Sequence, residues 1–593
     1  MKNTKKRLVL LGLFAFFGCT NLKSTQVEEK TNWDGSSLSE DESRFRIKTG
    51  TKGMVVSDDE IASKFGAEIL RKGGNAIDAA VGVGFMLAVT RPHYASIGGG
   101  GFLVYCPKKQ KCKIIDYREV APLAATRDMY VINGKGDTEL SQDGALASGV
   151  PGVVAGLLLA LEKYGTKSRT DVLSEPIRVA KEGMHLSSTT EAAAADRWSK
   201  MNLGAKKIFG CKELKNETHP CFAQSIIKQK DLSSVLTEIK QKGKNGFYRG
   251  WVSKKIVHEM HKDGGILSEK DFAQYRVVER EPIVGKFLNH EVITMPPPSS
   301  GGAILLQLLK FTELAIENKL FDTGYGSALT THVLAHAMKL SFSDRSLYFG
   351  DPNFVRVPVD ELLSKDYIQQ RWNSFNPTSS KGEVIPGLGK NEKDYLKENN
   401  QTTHFSVVDS EGTAVAITTT VNGYFGSAYV PEGTGIVMNN EMDDFSIQPG
   451  VPNLFGLVGG YANSVQPMKR PLSSMTPTIL RNEKGEVEFI LGAQGGPRII
   501  TGVFQSLVNR LVFNFSLADA VSAPRIHHQW KPDVLNIEFP GPGFEVVNKL
   551  KEIGYTVKPT SSVGRLEAIE RFPAQGRVWG VADPRTEGYA AAQ

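Results

Sequence analysis

The feature that most constrains this chain is an abrupt change of composition before residue 402. Residues 381–400 contain a proline, three glycines and many charged residues but few apolar ones, which is typical of an exposed, mobile segment. Polar and apolar residues then alternate over positions 403–409 and again over 413–421, with Ser410-Glu411-Gly412 between them. This pattern predicts a β-hairpin. We therefore expect a mobile arm to run directly into a core strand.

Composition and charge exclude some functions. The chain has 593 residues, of which 40% are hydrophobic and 23% charged, as in ordinary globular proteins. Its net charge of +7 is spread along the chain and forms no basic stripe with interleaved aromatic residues, so no nucleic-acid partner is predicted. His332 and His336 lie four residues apart, but no third metal ligand is evident in the sequence. Neither a metal site nor a cofactor is predicted.

The N-terminus has the pattern of an export signal. Basic residues precede an apolar run that ends at Gly18 and is too short to span a bilayer, so residues 1–18 are predicted to be a signal peptide. Phe16-Phe17-Gly18-Cys19 resembles the bacterial lipobox, in which the cysteine carries lipid. We expect a lipid on Cys19 as the only membrane contact, a polar tether over residues 19–45, and a location in the periplasm or cell envelope. Plain secretion, with Cys19 incidental, is the alternative.

The other four cysteines form two close pairs. Cys106 and Cys112 lie between two strand-like runs, and Cys211 and Cys221 bracket a short polar loop. An oxidising envelope compartment makes both pairs candidate disulfides. Four free thiols are the alternative.

Thr402 is the first residue after the predicted arm. A threonine hydroxyl is a weak nucleophile that needs an adjacent base. If the chain is cut between Gln401 and Thr402, the released α-amine, with a pKa of about 7.7–8.0, supplies that base. The same hydroxyl can make the cut by attacking the Gln401 carbonyl and forming an ester. Taken alone, however, paired threonines in a strand are usually a packing feature.

Several motifs, in a fixed order, resemble one family. The segment Gln401-Thr402-Thr403-His404-Phe405-Ser406-Val407-Val408-Asp409 resembles the cleavage site of the γ-glutamyltranspeptidases, which are N-terminal nucleophile hydrolases. Further matches, in chain order, are Asp116-Tyr117-Arg118-Glu119, Asn439-Asn440-Glu441-Met442-Asp443-Asp444-Phe445-Ser446, Lys469-Arg470-Pro471-Leu472-Ser473-Ser474-Met475 and Gly495-Gly496. The resemblance extends from about Thr51 to Arg585. It implies an α/β fold, a four-layer αββα sandwich built from two self-cleaved pieces.

The resemblance implies roles in catalysis for four residues. Thr402 would be the nucleophile, and Thr420 would orient it. The backbone N–H groups of Gly495 and Gly496 would form an oxyanion hole. Consecutive glycines suit this task because they let backbone donors approach a ligand closely.

Six further matches would hold a γ-glutamyl group. Its α-carboxylate would be bound by Arg118, Ser473 and Ser474. Its α-ammonium would be bound by Asn422, Glu441 and Asp444. The residue types fit, because arginine presents a planar fork to a carboxylate, and carboxylate and amide oxygens accept from an ammonium. Taken singly, each residue could equally be an ordinary ion pair, loop or turn.

One position departs from the family pattern. Residues 449–460 resemble the lid loop over the donor site, but Phe455 stands where the family frequently has tyrosine. A phenyl ring can cover the pocket but cannot donate the hydroxyl hydrogen bond. We therefore predict a looser lid, more water entry and a shift from transfer towards hydrolysis.

The predicted organisation is a large piece over residues 46–401, ending in the cleavable arm 381–401, and a small piece over 402–593 that forms a heterodimer with it. The expected activity is that of a γ-glutamyltransferase and glutathione hydrolase, with amino acids or dipeptides as acceptors. The alternatives are a glutaryl-type β-lactam acylase, a poly-γ-glutamate depolymerase, and an uncleaved, non-enzymatic envelope lipoprotein. The predicted ammonium ligands and lid argue against the first, and the lid argues against the second.

Overall fold

In the computed structural model, the hairpin predicted after residue 402 lies near the centre of a seven-stranded antiparallel sheet. Its strands run over Thr403–Val408 and Ala414–Thr420, each end within one residue of the predicted one. The Asp409 carboxylate closes the turn by accepting hydrogen bonds from the N–H groups of Glu411 and Thr413, both at 3.0 Å. The hairpin prediction is confirmed.

The structure describes residues 46–212, 218–388 and 402–593, which all belong to one compact unit. The predicted signal peptide, Cys19, the tether and Gln401 lie outside the described residues, as do positions 389–400 of the predicted arm. No helix within the described ranges has the length and apolar character needed to cross a membrane.

The first part of the predicted arm is anchored rather than mobile. The N–H of Gly387 donates to the carboxylate of Asp344 at 2.9 Å, and the N–H of Leu388 donates to the Tyr348 hydroxyl at 2.8 Å. Pro386 is buried. Composition alone placed the start of the arm too early at residue 381, because it does not show which distant side chains bind this backbone.

The strands are numbered here in chain order. They are β1 Ile47–Gly50, β2 Met54–Ser57, β3 Gly100–Cys106, β4 Lys113–Asp116, β5 Val131–Ile132, β6 Lys135–Gly136, β7 Met184–His185, β8 Gly210–Lys212, β9 Thr218–Pro220, β10 Ile226–Ile227, β11 Val278–Arg280, β12 Ile283–Phe287, β13 His290–Thr294, β14 Thr403–Val408, β15 Ala414–Thr420, β16 Thr478–Arg481, β17 Val487–Gln494, β18 Ile526–His527, β19 Leu535–Glu538, β20 Val557–Thr560, β21 Arg565–Phe572, β22 Arg577–Ala582 and β23 Tyr589–Ala592.

The α-helices are numbered in the same way. They are α1 Glu60–Arg71, α2 Ala76–Thr90, α3 Thr138–Gln142, α4 Val153–Tyr164, α5 Arg169–Glu182, α6 Ser188–Arg197, α7 Leu203–Phe209, α8 Lys230–Lys242, α9 Lys244–Tyr248, α10 Trp251–Lys262, α11 Glu269–Gln274, α12 Gly301–Glu317, α13 Ala328–Tyr348, α14 Val359–Leu362, α15 Lys365–Trp372, α16 Arg498–Leu511, α17 Leu517–Ser522 and α18 Phe544–Ile553.

Strands from both sides of residue 402 are interleaved in both large sheets. One sheet has the order β11-β4-β3-β15-β14-β2-β23, so the hairpin β14-β15 lies between strands that precede it in the chain. The other has the order β1-β22-β21-β17-β16-β13-β12, in which β13 pairs with β16 and β1 with β22. Each piece of a cut chain would therefore leave unpaired strand edges without the other.

The two sheets pack face to face, with helices on their outer sides. Ser406 of β14 donates across this interface to the carbonyl groups of Ile490 and Glu567, at 3.3 and 3.1 Å. On the opposite face of β14, Phe405 and Val407 belong to the apolar cluster formed with α2 and α4. Helices α12 and α16 cover the other sheet. This arrangement confirms the predicted αββα sandwich.

Candidate active site

The hydroxyl of Thr402 is held by its neighbour across the hairpin. Thr402 immediately precedes β14 and is 4% exposed, and Thr420 is the last residue of β15. The Thr420 hydroxyl donates to Thr402 Oγ1 at 3.5 Å and accepts from the N–H of Asn422 at 2.8 Å. Asn422 has a φ of +74°, a conformation that asparagine tolerates better than most residues. Thr420 is therefore oriented to donate towards Thr402.

A buried arginine and two carboxylates lie beside the threonines. Arg118, 1% exposed, donates from Nη1 to the carboxylate of Glu441 and from Nη2 to that of Asp444. Its Nη2 also donates to the carbonyl of Leu472 at 3.1 Å, and its Nε donates to that of Pro471 at 3.3 Å. All three guanidinium nitrogens are thus bound to the protein.

Burial determines the protonation of this cluster. Burial lowers the pKa of Arg118, but the charges of Glu441 and Asp444 outweigh it and hold the pKa well above its usual value. Burial raises the pKa of Glu441 strongly and that of the adjacent Glu119 to about 7, against the opposing charge of Arg118. One arginine does not keep two neighbouring buried carboxyl groups fully ionised, so the Glu119–Glu441 pair retains a proton near neutral pH.

Arg345 is a site residue that sequence reasoning missed. It lies on α13 and is 4% exposed; its Nη2 donates to the hydroxyl of Ser474 and its Nε to that of Ser300, both at 2.9 Å. Burial lowers its pKa to about 10, against the charge of Asp444. No ion pair joins Arg345 to a carboxylate among the residues described, so it adds positive charge next to Ser474. The sequence carried no local signal for this position.

The glycine pair lies where β17 turns into α16. Gly495 and Gly496 have φ values of +124° and +54°, both in the region that favours glycine. They precede Pro497 and the first turn of α16, where backbone N–H groups point out of the helix end. This local geometry suits the binding of an oxygen that develops negative charge.

The predicted lid segment is closed over the site. Asn453 Nδ2 donates to the carboxylate of Asp444 at 3.1 Å, and the N–H of Leu454 donates to that of Asp443 at 2.6 Å. Gln529 Nε2 donates to the carbonyl of Phe455 at 3.3 Å, and the Phe455 ring is buried. The acidic motif therefore contacts both Arg118 and the lid.

Ten of the predicted site residues line one small cavity. They are Arg118, Thr402, Thr420, Asn422, Glu441, Asp444, Phe455, Ser473, Ser474 and Gly496, together with the unpredicted Arg345. The cavity volume is about 20 Å³, room for roughly one water molecule. A larger ligand therefore requires the lid or other lining side chains to move. Gly495 lines a separate, larger cavity on the other side of the glycine pair.

The remaining predicted residues lie away from this cavity. Cys106 is disulfide-bonded to Cys112, and Cys211 to Cys221. His332 bonds the hydroxyl of Tyr555 and the carbonyl of Asn376, both at 2.8 Å, and burial lowers the pKa of His336 to about 3. The two histidines thus have the contacts of core residues.

The fold and this site define a class of protein. An αββα sandwich with a buried threonine at the start of a central strand, beside a glycine pair at a helix N-terminus, is the architecture of N-terminal nucleophile hydrolases. The family model described as Gamma-glutamyltranspeptidase matches residues 62–593. The chain belongs to this family and is an enzyme, as its motifs predicted.

Known relatives agree with this assignment. The glutathione hydrolase proenzyme of Escherichia coli (strain K12) is 40% identical over 561 residues, covering 92% of each chain. The crystal structure of Helicobacter pylori gamma-glutamyltranspeptidase is 39% identical, with a TM-score of 0.53, over 56% of this chain and 95% of that chain. That of cephalosporin acylase from Bacillus halodurans is 25% identical, with a TM-score of 0.79, over 92% of this chain and 97% of that chain.

Proposed function

We propose that this enzyme cuts its own chain before Thr402 and then acts as a γ-glutamyltransferase and glutathione hydrolase. The observation that carries the proposal is the small cavity, in which a buried threonine hydroxyl lies beside two arginines and two carboxylates. That combination matches a γ-glutamyl group, which has a carboxylate and an ammonium at one end and the reacting carbonyl at the other. The name of the Escherichia coli relative supports glutathione as a donor.

The proposed maturation uses the future nucleophile. Thr402 Oγ1 attacks the carbonyl carbon of Gln401, the C–N bond breaks, and the amide nitrogen takes up the proton that the hydroxyl loses. Water then hydrolyses the resulting ester, which leaves a carboxylate on Gln401 and a free α-amine on Thr402. The hydrogen bond from Thr420 orients the attacking oxygen.

In the mature enzyme the α-amine of Thr402 is the proposed base. It takes the hydroxyl proton while Oγ1 attacks the γ-carbonyl, and it passes that proton to the leaving amine when the C–N bond breaks. The N–H groups at Gly495 and Gly496 stabilise the oxyanion; a single such donor typically contributes about 10²–10³ in rate. Water or an acceptor amine then attacks the glutamyl ester and regenerates the hydroxyl.

The charges of the small cavity suit the two ends of a glutamyl head group. Glu441, Asp444 and the side-chain oxygen of Asn422 accept from the α-ammonium in this proposal. Arg118 and the hydroxyl groups of Ser473 and Ser474 donate to the α-carboxylate. Because the Arg118 donors are occupied by Glu441 and Asp444 in the closed state, donor binding requires Arg118 to exchange part of these contacts.

We further propose that the N-terminal sequence directs export of the protein and its anchoring to a membrane through a lipid. The apolar run before Cys19 supports secretion, and the lipobox-like residues support a lipid on Cys19. Metabolic labelling with a radioactive fatty acid tests this: the parent is expected to incorporate label and Cys19→Ser to incorporate none. Equal labelling of both would contradict it.

The structural likeness to a cephalosporin acylase makes a glutaryl acylase the second candidate. A glutaryl group lacks the α-ammonium, so it would leave Glu441 and Asp444 with Arg118 as their charged partner and with no cation supplied by the ligand. The buried Glu441 and the mostly buried Asp444 therefore favour a γ-glutamyl substrate.

Three chromogenic substrates separate these functions. γ-Glutamyl-p-nitroanilide carries both charges, glutaryl-p-nitroanilide lacks the ammonium, and 4-aminobutyryl-p-nitroanilide lacks the carboxylate. We expect the first to have a kcat/KM at least about 100-fold above the other two, because each of the others lacks one charged group that would hydrogen-bond to the site. A preference for the glutaryl compound would assign the enzyme to the acylases instead.

A further inference from the structure

The adjacent aspartates Asp443 and Asp444 both contact the lid (residues 449–460), but only Asp444 lines the small cavity. The Asp444 carboxylate accepts from Arg118 and from Asn453 of the lid, and it is also a proposed ligand of the α-ammonium. The Asp443 carboxylate is buried and accepts from the N–H of Leu454 in the lid at 2.6 Å. A donor that occupies the small cavity therefore leaves the Asp443 contact in place.

The other oxygen of the Asp443 carboxylate is bound from the large piece of the chain. Asp443 Oδ1 accepts from the Ser141 hydroxyl at 2.6 Å and from Gln142 Nε2 at 3.3 Å, and both donors lie on α3. Asp443 Oδ2 is the oxygen that accepts from Leu454. One buried side chain of the small piece thus connects a helix of the large piece to the lid.

The bonded N–H lies where the lid separates the two cavities. Leu454 lines the larger cavity, whereas Phe455 lines the small one. Asn453 Oδ1 accepts from the N–H of Phe455 at 2.9 Å, but Asn453 belongs to the lid itself. Gln529, outside the lid, adds a longer contact of 3.3 Å to the carbonyl of Phe455. The bond to Asp443 is the shortest of the three and the only one of them made by an ionisable group.

The surroundings of Asp443 favour a change of charge near neutral pH. Burial raises the pKa of Asp443 to about 7 against the hydrogen bonds from Ser141 and Leu454, and the neighbouring charge of Asp444 adds to the rise. Tyr130 is a second titratable neighbour, and its own pKa is raised by burial and by the charge of Asp443. No ion pair joins Asp443 to a cation in the part of the chain that the structure describes. The carboxyl group is therefore neutral in mild acid and ionised at pH 8.

We propose that Asp443 is a positioning residue that holds the lid closed, and that protonation of its carboxyl group loosens the lid. A carboxylate gives the N–H of Leu454 a charge-assisted hydrogen bond, whereas a neutral carboxyl group gives it a weaker one. A looser lid admits more water to the glutamyl ester on Thr402. This effect on catalysis rests on the proposed function, but the effect on the lid does not.

Hydrogen exchange of the lid, measured by mass spectrometry, tests the contact directly. Asp443→Asn keeps the shape of the side chain and removes its charge. At pH 8 we expect the amide of Leu454 to exchange about tenfold faster in the variant than in the parent. At pH 5, where the parent carboxyl group is protonated, we expect the two rates to agree within about twofold. The same ratio at both pH values, or equal rates at pH 8, would overturn the proposal.

Two further variants control the exchange experiment. Ser141→Ala removes a hydrogen bond that lowers the pKa of Asp443, so the pH at which the Leu454 amide becomes protected is expected to rise. An unchanged pH for this protection would contradict the proposal even if Asp443→Asn failed to fold. Asp322→Asn, at an exposed aspartate, is expected to match the parent at both pH values.

The consequence for catalysis is measured separately. With γ-glutamyl-p-nitroanilide as donor and glycylglycine as acceptor at pH 8, we expect Asp443→Asn to lower the ratio of transfer to hydrolysis about threefold. An unchanged ratio together with faster exchange of the lid would contradict the link between the lid and water entry. If the parent cleaves no γ-glutamyl compound, the proposed function fails, and the exchange rates still decide whether Asp443 holds the lid.

Discussion

The two cavities lined by the glycine pair differ in size and in how their polar groups are bound. In the small cavity, Arg118 has all three guanidinium nitrogens bonded to protein oxygens, and the lid is closed over it. The larger cavity has a volume of about 580 Å³, and Arg565 on its lining forms no ion pair with a described carboxylate. A small, preorganised site suits one fixed head group, whereas a roomier site suits ligands that vary. We expect strict selection of the glutamyl group and looser selection of its partner.

Arg118→Lys should have the largest effect, because it weakens the strict selection of the glutamyl group in the small cavity. Lysine has no planar fork, so it cannot replace the bidentate geometry of arginine. We expect self-cleavage to be retained and the KM for γ-glutamyl donors to rise about 100-fold. The matched control is Arg356→Lys, at an exposed arginine. An unchanged donor KM in steady-state kinetics would remove Arg118 from the donor site.

Glu119→Gln tests the charge balance of the small cavity through stability. Below about pH 4.5 the Glu119 carboxyl is protonated in both native and unfolded states; between 4.5 and about 7 only the native state keeps the proton. Native stability is therefore lost as pH rises across that window, by on the order of 3 kcal/mol. Because glutamine does not titrate, the free energy of unfolding of Glu119→Gln should fall less than that of the parent as the pH rises across this window. Thermal unfolding midpoints of parent and variant at pH 5 and 8 measure it; identical pH dependence would contradict the raised pKa.

Arg345→Met tests whether the second buried arginine positions Ser474. Without the donor from Arg345, the Ser474 hydroxyl is free to turn away from the cavity, and local positive charge is lost. We expect the KM for γ-glutamyl-p-nitroanilide to rise about tenfold. Partial rescue by Arg345→Lys is also expected. A purely structural role would instead affect 4-aminobutyryl-p-nitroanilide, which lacks the carboxylate, to the same degree.

Phe455→Tyr should give the smallest effect. The added hydroxyl offers the lid one more hydrogen bond, so we expect the ratio of transfer to hydrolysis to rise about twofold to threefold. The ratio is measured as glycylglycine adduct against free glutamate from the same donor. No change in the ratio would show that the lid ring alone does not control water entry.

Sequence patterns predicted those parts of the site whose conformation depends on residues close together in the chain. The hairpin over residues 403–420 follows from strict alternation, and the positive φ angles of Gly495 and Gly496 agree with the glycine pair seen in the sequence. The αββα arrangement came from the family resemblance and not from periodicity, because the packing of two sheets depends on contacts between distant segments.

Contacts between distant segments were not visible in the sequence. Arg345 lies within a 21-residue helix and reaches Ser474 across 129 positions of the chain. The anchoring of Gly387 by Asp344 made part of the predicted arm ordered. Arg498 of α16 and Arg565 of β21 likewise line one cavity although no motif joins the two.

The most direct test of the account is to determine the N-terminal sequence and intact mass of the smaller fragment of the purified enzyme, with Thr402→Ala alongside. We predict a fragment that begins at Thr402, and for the variant a single uncut chain without activity. A fragment that begins elsewhere, or normal cleavage in Thr402→Ala, would contradict both the maturation step and the identity of the nucleophile.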